Sequence, residues 1–371
     1  MRLKLDPSQI PFLLAFHRHI RLTHARAQNL NDYFQGDFEK AWKSSLLELQ
    51  KAGLDHKGLK KWELSHTHIS PQKEFEDLQT KNIQILLRGQ KGYPLSLDHM
   101  HDPPPILFMK GNLCPQDFPN LGVVGSRKIT HYGKRALEHL IKPIIQSGVT
   151  ITSGLAFGTD FLAHRTAVEN GGRTIGVLGS SLDHIYPNAH QKWAEKNLEE
   201  GRLVLLSESL PHTPLLPEHF PIRNRIIAAL SKCLVIIEGT TKSGSLITAR
   251  LANDQGKEVF ALPGDIFSCQ SQGPNQLILE GGAHPLISTE QLIEYLGLKP
   301  SNSAQSAQSE IPSCGIEADI LACFEGSNIY HIDAIKRTTH VPQHQLTSTL
   351  ILLEMKGLVK NIGGQQYLKT L

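Results

Sequence analysis

Short apolar segments alternate with longer amphipathic segments through the middle of this 371-residue chain. Four apolar segments, at 121–124, 150–153, 174–178 and 234–237, stop at turns rich in glycine and serine. Each segment is short enough for a buried strand and is followed by a stretch that can form a helix. Strand–helix alternation of this kind is typical of a doubly wound parallel sheet. We therefore predict an α/β fold for the central block.

The same alternation predicts the other elements of this block. Further strands are expected at 83–87, 203–207 and 258–262. Helices are expected at 159–170, 189–200, 223–231, 245–255 and 289–296. The hydrophobic stretch Gln276–Leu279 fits either a dimer interface or burial beneath the sheet.

The segments outside the block differ in composition. Residues 1–70 show short helical patterns separated by polar turns, which favours a small helical domain of the SAM or helix-hairpin-helix kind. Residues 299–311 are rich in Ser, Gln and Ala and predict a flexible linker. Residues 312–371 show helical patterns at 317–324, 331–338 and 342–356, then β-like segments at 358–359 and 366–368. This order favours a winged-helix-like domain. The predicted domains are thus 1–70, 71–298 and 312–371.

Charge and cysteine usage narrow the functional classes. The formal net charge of +3, from 38 basic and 35 acidic residues, means that any electrostatic site must be local. The five cysteines form no CxxC pair and no HExxH motif occurs, so we predict no metal site. Cys233, before an apolar strand, is expected to pack in the core. No apolar run of 18 residues and no signal-peptide pattern occur, which predicts a cytoplasmic protein without membrane insertion.

Candidate chemistry gathers at the strand ends. In a parallel sheet these turns meet at the carboxyl edge, where backbone N–H groups and helix N-termini bind anions. Gly125-Ser126-Arg127 supplies close backbone approach, a hydroxyl and a guanidinium. The loop Lys242-Ser243-Gly244-Ser245 supplies an ammonium and two hydroxyls. A plain strand–helix turn is an equally good interpretation of the first tripeptide, and a serine N-cap with a solvated lysine would explain Ser245 alone.

A third segment, His219–Arg225, places Phe220 beside two arginines, Arg223 and Arg225. Aromatic faces stack bases and guanidinium groups hold the backbone of single strands. A hydrophobic staple onto the next helix is an equal alternative for Phe220.

Asp160 and His164 favour a capped helix with a His–Asp contact over acid–base catalysis. Asp183, which precedes His184 in a turn, is likewise given a structural role and not a catalytic one. Walker, GxGxxG and GxSxG motifs are absent, so we predict no nucleotide cofactor.

The order and residues of these sequence motifs resemble those of the DNA-processing protein A (DprA/Smf) family of bacteria. The resemblance runs from Tyr93 to Leu296 and departs from the usual pattern at Thr159 and Gly239. The matching segments are 103–107, 110–111, 124–127 with 130 and 132–133, 153–156 with 158, 160 and 163–164, 171–172, 182–187, 220–225, 242–250 and 263–264. The N-terminal region lacks the Pro-Gly-Ile-Gly-like hairpin often seen in the family. The resemblance therefore does not extend a DNA-binding role to residues 1–70, and their role stays open.

The resemblance implies a non-enzymatic protein with an extended Rossmann-like domain that binds single-stranded DNA, forms a homodimer, loads the RecA recombinase and protects incoming DNA during natural transformation. It implies phosphate contacts from Gly125, Ser126, Arg127, Arg223, Arg225, Lys242, Ser243, Gly244 and Ser245. Phe220 would stack a base. The residues expected to shape the pocket are Gly154, Asp160, His164, Asp183, Asn224 and Thr248.

Two other classes are weighed against this interpretation. Nucleotide-phosphate hydrolases of the lysine-decarboxylase-like Rossmann group carry a Pro-Gly-Gly-x-Gly-Thr turn followed by a catalytic Glu. Here the loop 241–245 is followed by Leu246, Ile247 and Thr248, which disfavours hydrolysis. A transcription regulator would need a basic third helix near the C-terminus. Helix 342–356 has one cation, Lys356, at its end, and residues 312–371 carry five acidic and five basic residues.

Overall fold

The computed structural model describes residues 6–298, 315–324 and 328–369. The predicted linker 299–311 lies outside the described residues. The chain divides into two compact units, Met1–Lys299 and Pro300–Leu371, and each is described by itself.

A nine-stranded sheet organises the described part of the first unit. Its spatial order is β1-β2-β6-β5-β4-β3-β7-β8-β9. Strands β3 to β9 run parallel, whereas β2 pairs antiparallel with both β1 and β6. The strands are β1 (Gln84–Leu87), β2 (Ile106–Lys110), β3 (Asn120–Val124), β4 (Thr150–Ser153), β5 (Thr174–Leu178), β6 (Leu203–Ser207), β7 (Cys233–Ile236), β8 (Glu258–Ala261) and β9 (His284–Pro285).

Thirteen helices accompany this sheet within residues 6–298, with short 3-10 turns between some of them. Six precede the first strand: α1 (Ile10–Ile20), α2 (His24–Phe34), α3 (Phe38–Trp42), α4 (Leu46–Lys51), α5 (His56–Ser65) and α6 (Pro71–Thr80). The others are α7 (His131–Gln146), α8 (Thr159–Glu169), α9 (Gln191–Glu199), α10 (His219–Leu230), α11 (Gly244–Asp254), α12 (Gln272–Leu279) and α13 (Thr289–Leu296).

The central strands are buried on both faces because helices cover both sides of a parallel sheet. Successive side chains of a strand point to opposite faces. Leu121 and Val123 of β3 therefore join a core with α7, α8 and α13. Val124 joins the opposite core, which includes α10 and α11. The two faces of the sheet thus carry different helices, and this arrangement creates the candidate site.

The N-terminal helices share a third core with the β2–β6 end of the sheet. Its centre is aromatic: the rings of Phe16 and Trp62 stack with centroids 4.8 Å apart, and Trp42 meets both edge-on. Phe108 of β2 and Leu205 of β6 belong to the same cluster. The predicted boundary at residue 70 stays a prediction, while the packing joins these helices to the sheet.

The described residues of the second unit form three helices and a three-stranded antiparallel sheet of order β10-β12-β11. Its elements are α14 (Ile316–Ala322), β10 (Ile329–His331), α15 (Ile332–Thr339), α16 (Gln343–Met355), β11 (Val359–Gly363) and β12 (Gln366–Lys369). Ile335, Leu346 and Leu350 are fully buried at the centre of its core. The helical patterns are found where expected, β10 was not expected, and the winged-helix assignment stays a prediction.

The predicted doubly wound α/β sheet is confirmed, and Cys233 is fully buried in β7 as expected. Helix α10 and strand β2 are among the elements that differ from the sequence-based expectation. Helix α10 begins at His219, four residues before the predicted start, because Pro221 fits the first turn of a helix, where no backbone donor is needed. Strand β2 follows the three prolines at 103–105 and was not predicted. No helix among the described residues is both long and apolar enough to cross a membrane.

Candidate nucleic-acid interface

The candidate site lies where the order of the parallel strands reverses. Strands β3 and β7 are neighbours, yet the helices that follow them, α7 and α11, cover opposite faces. The two connecting loops therefore diverge and leave a crevice at the carboxyl edge, the usual ligand site of such sheets. A cavity of about 690 Å³ occupies this position. It is lined by residues 124–128, Ala156, Asp160, Tyr186, Pro217, Phe220, Pro221, Arg223, Asn224, Ile227, Thr240, residues 243–245, Thr248 and Gln270.

Close backbone packing shapes the turn after β3. A Cβ atom on Gly125 would lie 2.6 Å from the Thr159 hydroxyl, and one on Gly158 would lie 2.4 Å from the Ser126 carbonyl oxygen. Gly158 also has a φ of +77°, which favours glycine. Ser126 is buried, and its hydroxyl accepts a hydrogen bond from the Lys128 backbone N–H at 2.9 Å. The hydroxyl thus braces the turn, while the exposed Arg127 carries the charge.

Arg127 lies over an aromatic ring. Its guanidinium carbon is 5.8 Å from the centroid of the Phe220 ring, a cation–π distance. Among the described residues, no carboxylate forms an ion pair with Arg127. An exposed guanidinium without an acidic partner is available to an anionic ligand, and the ring beneath it offers a surface for a base.

The second turn ends at the N-terminus of α11. The Ser243 hydroxyl accepts from the Ser245 backbone N–H at 3.3 Å and lies 2.8 Å from the Ser245 hydroxyl. Thr248, one turn further on, donates to the Gly244 carbonyl at 3.3 Å and also lines the cavity. The positive end of the helix dipole therefore faces the cavity together with hydroxyl groups, an arrangement that favours phosphate. Lys242 is exposed directly before this turn but does not line the cavity.

Arg223 is part of the wall of the cavity and is not a mobile cation. It is 6% exposed, and its Nη1 donates to the carbonyl oxygens of Gly154, at 2.7 Å, and of Val177. Burial lowers the pKa of Arg223 to about 10, against the attraction of Asp160. The predicted phosphate contact of Arg223 stays a prediction: Nη1 is already bonded to two backbone carbonyl groups, whereas the buried Nε has no hydrogen-bond partner among the described residues.

Gly154 and Asp160 complete this wall. A Cβ atom on Gly154 would lie 2.6 Å from both Arg223 Nη1 and Asp160 Oδ2, so only glycine fits between the two charges. Asp160 is 7% exposed, and burial raises its pKa while Arg223 opposes that shift. The carboxylate of Asp160 is the only one that lines the cavity within the described residues. It balances the charge of Arg223 and leaves the exposed cations free.

Three residues expected at the pocket lie elsewhere. Arg225 donates to the Asp102 carbonyl at 2.9 Å and pairs with Glu208, so its charge is neutralised away from the cavity. His164 is fully buried, and its Nδ1 lies 2.6 Å from the Thr174 hydroxyl, so the predicted His–Asp contact is wrong. Burial lowers the pKa of His164 to about 3. Asp183 accepts from the His212 backbone N–H at 3.1 Å and lies outside the lining.

The tertiary structure adds aromatic residues that the sequence did not single out. Tyr186 is 39% exposed, and its ring centroid lies 5.7 Å from that of Phe220. Phe157 is 47% exposed and borders a small side cavity with Tyr186 and Phe220. Lys128 and Gln270 also line the main cavity. The aromatic character of the turns at 157 and 186 was visible in the sequence, but their convergence on Phe220 was not.

These contacts define what the crevice can hold. Arg127, Lys128 and the N-terminus of α11 supply positive charge and hydrogen-bond donors on one side. Phe220, Tyr186 and Phe157 supply apolar aromatic surface next to Arg127. A ligand with linked phosphates and planar apolar groups satisfies both features, and single-stranded nucleic acid has this chemistry.

The sequence matches a known protein family, described as DNA recombination-mediator protein A, over residues 84–297. Curated relatives extend the match. The DNA processing protein DprA of Bacillus subtilis (strain 168) is 42% identical over 217 residues, which cover 58% of this chain and 72% of the relative. Protein Smf of Escherichia coli (strain K12) is 36% identical over 308 residues, covering 79% of this chain and 80% of the relative.

Two solved structures are also similar. DNA processing protein A from Streptococcus pneumoniae superposes with a TM-score of 0.66 at 31% identity, covering 76% of this chain and 97% of that chain. DNA processing protein A from Helicobacter pylori superposes with a TM-score of 0.52 at 31% identity, covering 58% of this chain and 95% of that chain. The latter structure is described as giving insights into a single-stranded DNA binding mode of that protein.

Proposed function

The chain belongs to the DNA recombination-mediator protein A family, and from this premise we propose that it binds single-stranded DNA in the crevice between β3 and β7. The observation that carries the proposal is the exposed Arg127 over the Phe220 ring, opposite the N-terminus of α11. The Helicobacter pylori relative supports it, because that protein has a single-stranded DNA binding mode. Binding would be tolerant of sequence, since phosphate contacts carry no sequence information.

The residues divide into three roles in this proposal. Arg127 and Lys242 contact phosphates as exposed cations, and the backbone and hydroxyl groups of residues 125–126 and 243–245 complete the phosphate seats. Phe220 stacks a base, with Tyr186 beside it. Asp160, Arg223, Asn224 and Thr248 form the wall, and Gly154 lies behind it against Arg223. We propose no catalytic residue, because the one carboxylate in the described lining, Asp160, is buried in the electrostatic field of Arg223. We therefore infer that the protein acts by binding.

A more specific proposal concerns the RecA recombinase. We propose that the bound strand is handed to RecA, and that incoming DNA is protected in this way during natural transformation. The measurement is the rate at which RecA assembles on single-stranded DNA, followed by its DNA-dependent ATPase activity with and without this protein. An acceleration that Arg127→Ala abolishes would support loading. An unchanged rate with wild-type protein would contradict it.

We also propose a homodimer through the β9 edge of the sheet. Leu279 of α12 is 86% exposed and Ile287, just after β9, is 75% exposed, so this edge presents apolar side chains to solvent. Leu277 of the same helix is buried, which separates the two interpretations of the 276–279 stretch. Light scattering should give the dimer mass for wild type and the monomer mass for Leu279→Glu. The matched control Leu95→Glu changes another exposed leucine, 73% exposed, and should stay dimeric.

The experiment that tests DNA binding is fluorescence anisotropy with labelled oligo(dT), repeated at several salt concentrations. Arg127→Ala and Lys242→Ala should each lower the affinity about tenfold or more, because a hydrogen bond to a charged group contributes roughly 1.5–3 kcal/mol. The slope of log K against log salt should also become shallower, because fewer counterions are released. Lys142→Ala removes an exposed cation from α7 and serves as the control. Unchanged binding by folded Arg127→Ala would contradict the assignment.

A further inference from the structure

A second cationic surface lies on the N-terminal helices. A cavity of about 500 Å³ is bordered by α1, α5 and the start of α6. We call its basic side chains the N-terminal basic cleft, namely Arg18, Lys61, His68 and Lys73. Lys61, His68 and Lys73 are exposed. The one carboxylate in the described lining, Glu74, is paired with Arg18 at 2.8 Å, so the cleft keeps a net positive charge.

A smaller cavity lies next to this cleft, and one of its lining residues precedes a crevice residue in the chain. It is lined by His17, Arg18, Arg21, Glu208, Ser209, Leu210, Thr213 and His219. Arg18 borders both this cavity and the N-terminal basic cleft. His219 borders it at the other end, and the next residue in the chain, Phe220, lines the crevice. The small cavity thus shares Arg18 with the N-terminal basic cleft and reaches the residue next to Phe220 on α10.

Arg21 occupies the middle of this path. It ends α1 with a φ of +48° and ψ of 94°, a backbone conformation rarely adopted by residues other than glycine. Its N–H still donates to the His17 carbonyl at 2.9 Å. Among the described residues no ion pair links Arg21 to a carboxylate, and Glu208 in the same cavity is paired with Arg225. A strained backbone thus holds a half-buried guanidinium beside His219.

We propose that Arg21 and the N-terminal basic cleft are a second phosphate-binding segment for the same DNA strand. The strand leaves the crevice past Phe220 and His219, crosses Arg21 and reaches Lys61 and Lys73. This inference rests on the proposed function of the crevice and extends it to a longer track. The ligand is the phosphodiester backbone of a single strand, because cationic grooves that follow a backbone need no base recognition. Glu208 and Glu74 on this path are paired with Arg225 and Arg18, and Glu218, exposed beside His219, is a further acidic residue that the strand must pass.

The test measures affinity against oligo(dT) length, from 5 to about 30 nucleotides, for the full chain. Wild-type affinity should rise until the strand spans both segments. Lys61→Gln/Lys73→Gln should bind the shortest oligonucleotides like wild type but bind the longest about tenfold more weakly, with a salt slope lower by roughly 1.4 for two lost contacts. Lys40→Gln/Lys51→Gln removes two exposed lysines from α3 and α4 and should match wild type at every length.

Arg21→Gln gives an independent check on the direction of the track. In the proposed track Arg21 lies between the crevice and the cleft. Arg21→Gln should therefore lower the affinity for shorter oligonucleotides than those at which the Lys61/Lys73 variant first binds more weakly than wild type. Equal length curves and salt slopes for wild type and the Lys61/Lys73 variant would overturn the second segment while leaving the crevice intact. Absence of binding by wild type at all lengths would instead overturn the proposed function itself.

Discussion

Arg127 and Arg223 border the same crevice under opposite electrostatic conditions. Arg127 is exposed, lies over an aromatic ring, and forms no ion pair with a carboxylate in the described part of the chain. Arg223 is buried, and its Nη1 donates to the carbonyl groups of Gly154 and Val177. A phosphate can approach the first guanidinium without breaking existing hydrogen bonds. A phosphate that took over Nη1 of the second would leave two backbone carbonyl groups unpaired, and a buried group left without a partner costs roughly 1–3 kcal/mol.

Phe220 supports a prediction about base stacking. Phe220→Ala should weaken the binding of single-stranded DNA by about 1–3 kcal/mol, whereas Phe220→Tyr, which keeps a ring, should bind nearly as wild type. The measurement is oligo(dT) anisotropy, paired with urea unfolding of each variant. A variant that unfolds more easily but binds normally would show that the ring serves only as a hydrophobic staple above Gly179.

His164 predicts a dependence of stability on pH. Burial lowers the pKa of His164 to about 3, below the ordinary histidine value of 6.5, so the unfolded chain binds the proton first as the pH falls. Neutral His164 therefore contributes fully to the free energy of unfolding above about pH 6.5. Below that pH the contribution falls by about 1.4 kcal/mol per pH unit. His17, whose pKa burial lowers to about 4, acts in the same direction.

The free energy of unfolding of wild type and His164→Gln, measured in urea at pH 7, 6 and 5, isolates this contribution. The variant lacks the imidazole, so its stability should fall less steeply between pH 6 and pH 5. Parallel curves for the two proteins would mean that His164 is not neutral in the folded state.

At the scale of elements, the crevice depends on how helices are fixed to strand ends. Glu238, 1% exposed after β7, accepts from the Thr130 backbone N–H at 2.8 Å and from the Thr130 hydroxyl. Thr130 is the N-cap of α7, so one carboxylate ties the start of α7 to the neighbouring strand. A Cβ atom on Gly133 would lie 2.6 Å from the Glu238 carboxyl carbon, which explains a glycine in the first turn of α7. The turn formed by residues 125–130 is thus fixed at its end by the hydrogen bonds between Thr130 and Glu238.

Glu238→Gln should therefore affect both stability and binding. An amide offers one acceptor oxygen in place of two, so the free energy of unfolding should fall by roughly 1–3 kcal/mol. Single-stranded DNA should bind more weakly because the Arg127 turn loses its support. Glu294→Gln, an exposed change on α13, is the control for the loss of a charge. Full affinity in the Glu238 variant would show that the turn holds its shape without this anchor.

At the scale of the whole molecule, the two units have separate hydrophobic cores. Every described residue of the crevice and of the N-terminal basic cleft belongs to the first unit. A chain ending at residue 298 should therefore fold and bind oligo(dT) with the affinity of the full chain. Thermal unfolding checks the fold and anisotropy checks the affinity. A marked loss of affinity by the folded shorter chain would place DNA contacts in the second unit.

The strands and most helices of the central block were predictable because a buried parallel strand needs a continuous apolar run and a Gly/Ser turn at its end. Helix α13, predicted at 289–296, has these bounds in the structure. β9, two residues long and exposed at the edge of the sheet, has no such pattern and was missed. The turns with Gly125 and Gly244 were also predicted as parts of one site, because the carboxyl ends of parallel strands share an edge.

The sequence by itself determined the doubly wound sheet, the Gly/Ser turns at its carboxyl edge and the family. These follow from local periodicity and from short motifs that do not depend on distant partners. Only the tertiary structure decided which cations are exposed. Arg127, Arg223 and Arg225 have the same side chain, but burial and partners from distant strands leave the first open, fix the second in the wall and neutralise the third. The convergence of Tyr186 and Phe157 on Phe220, and the small cavity that brings Arg21 together with His219, likewise require segments far apart in the chain to meet.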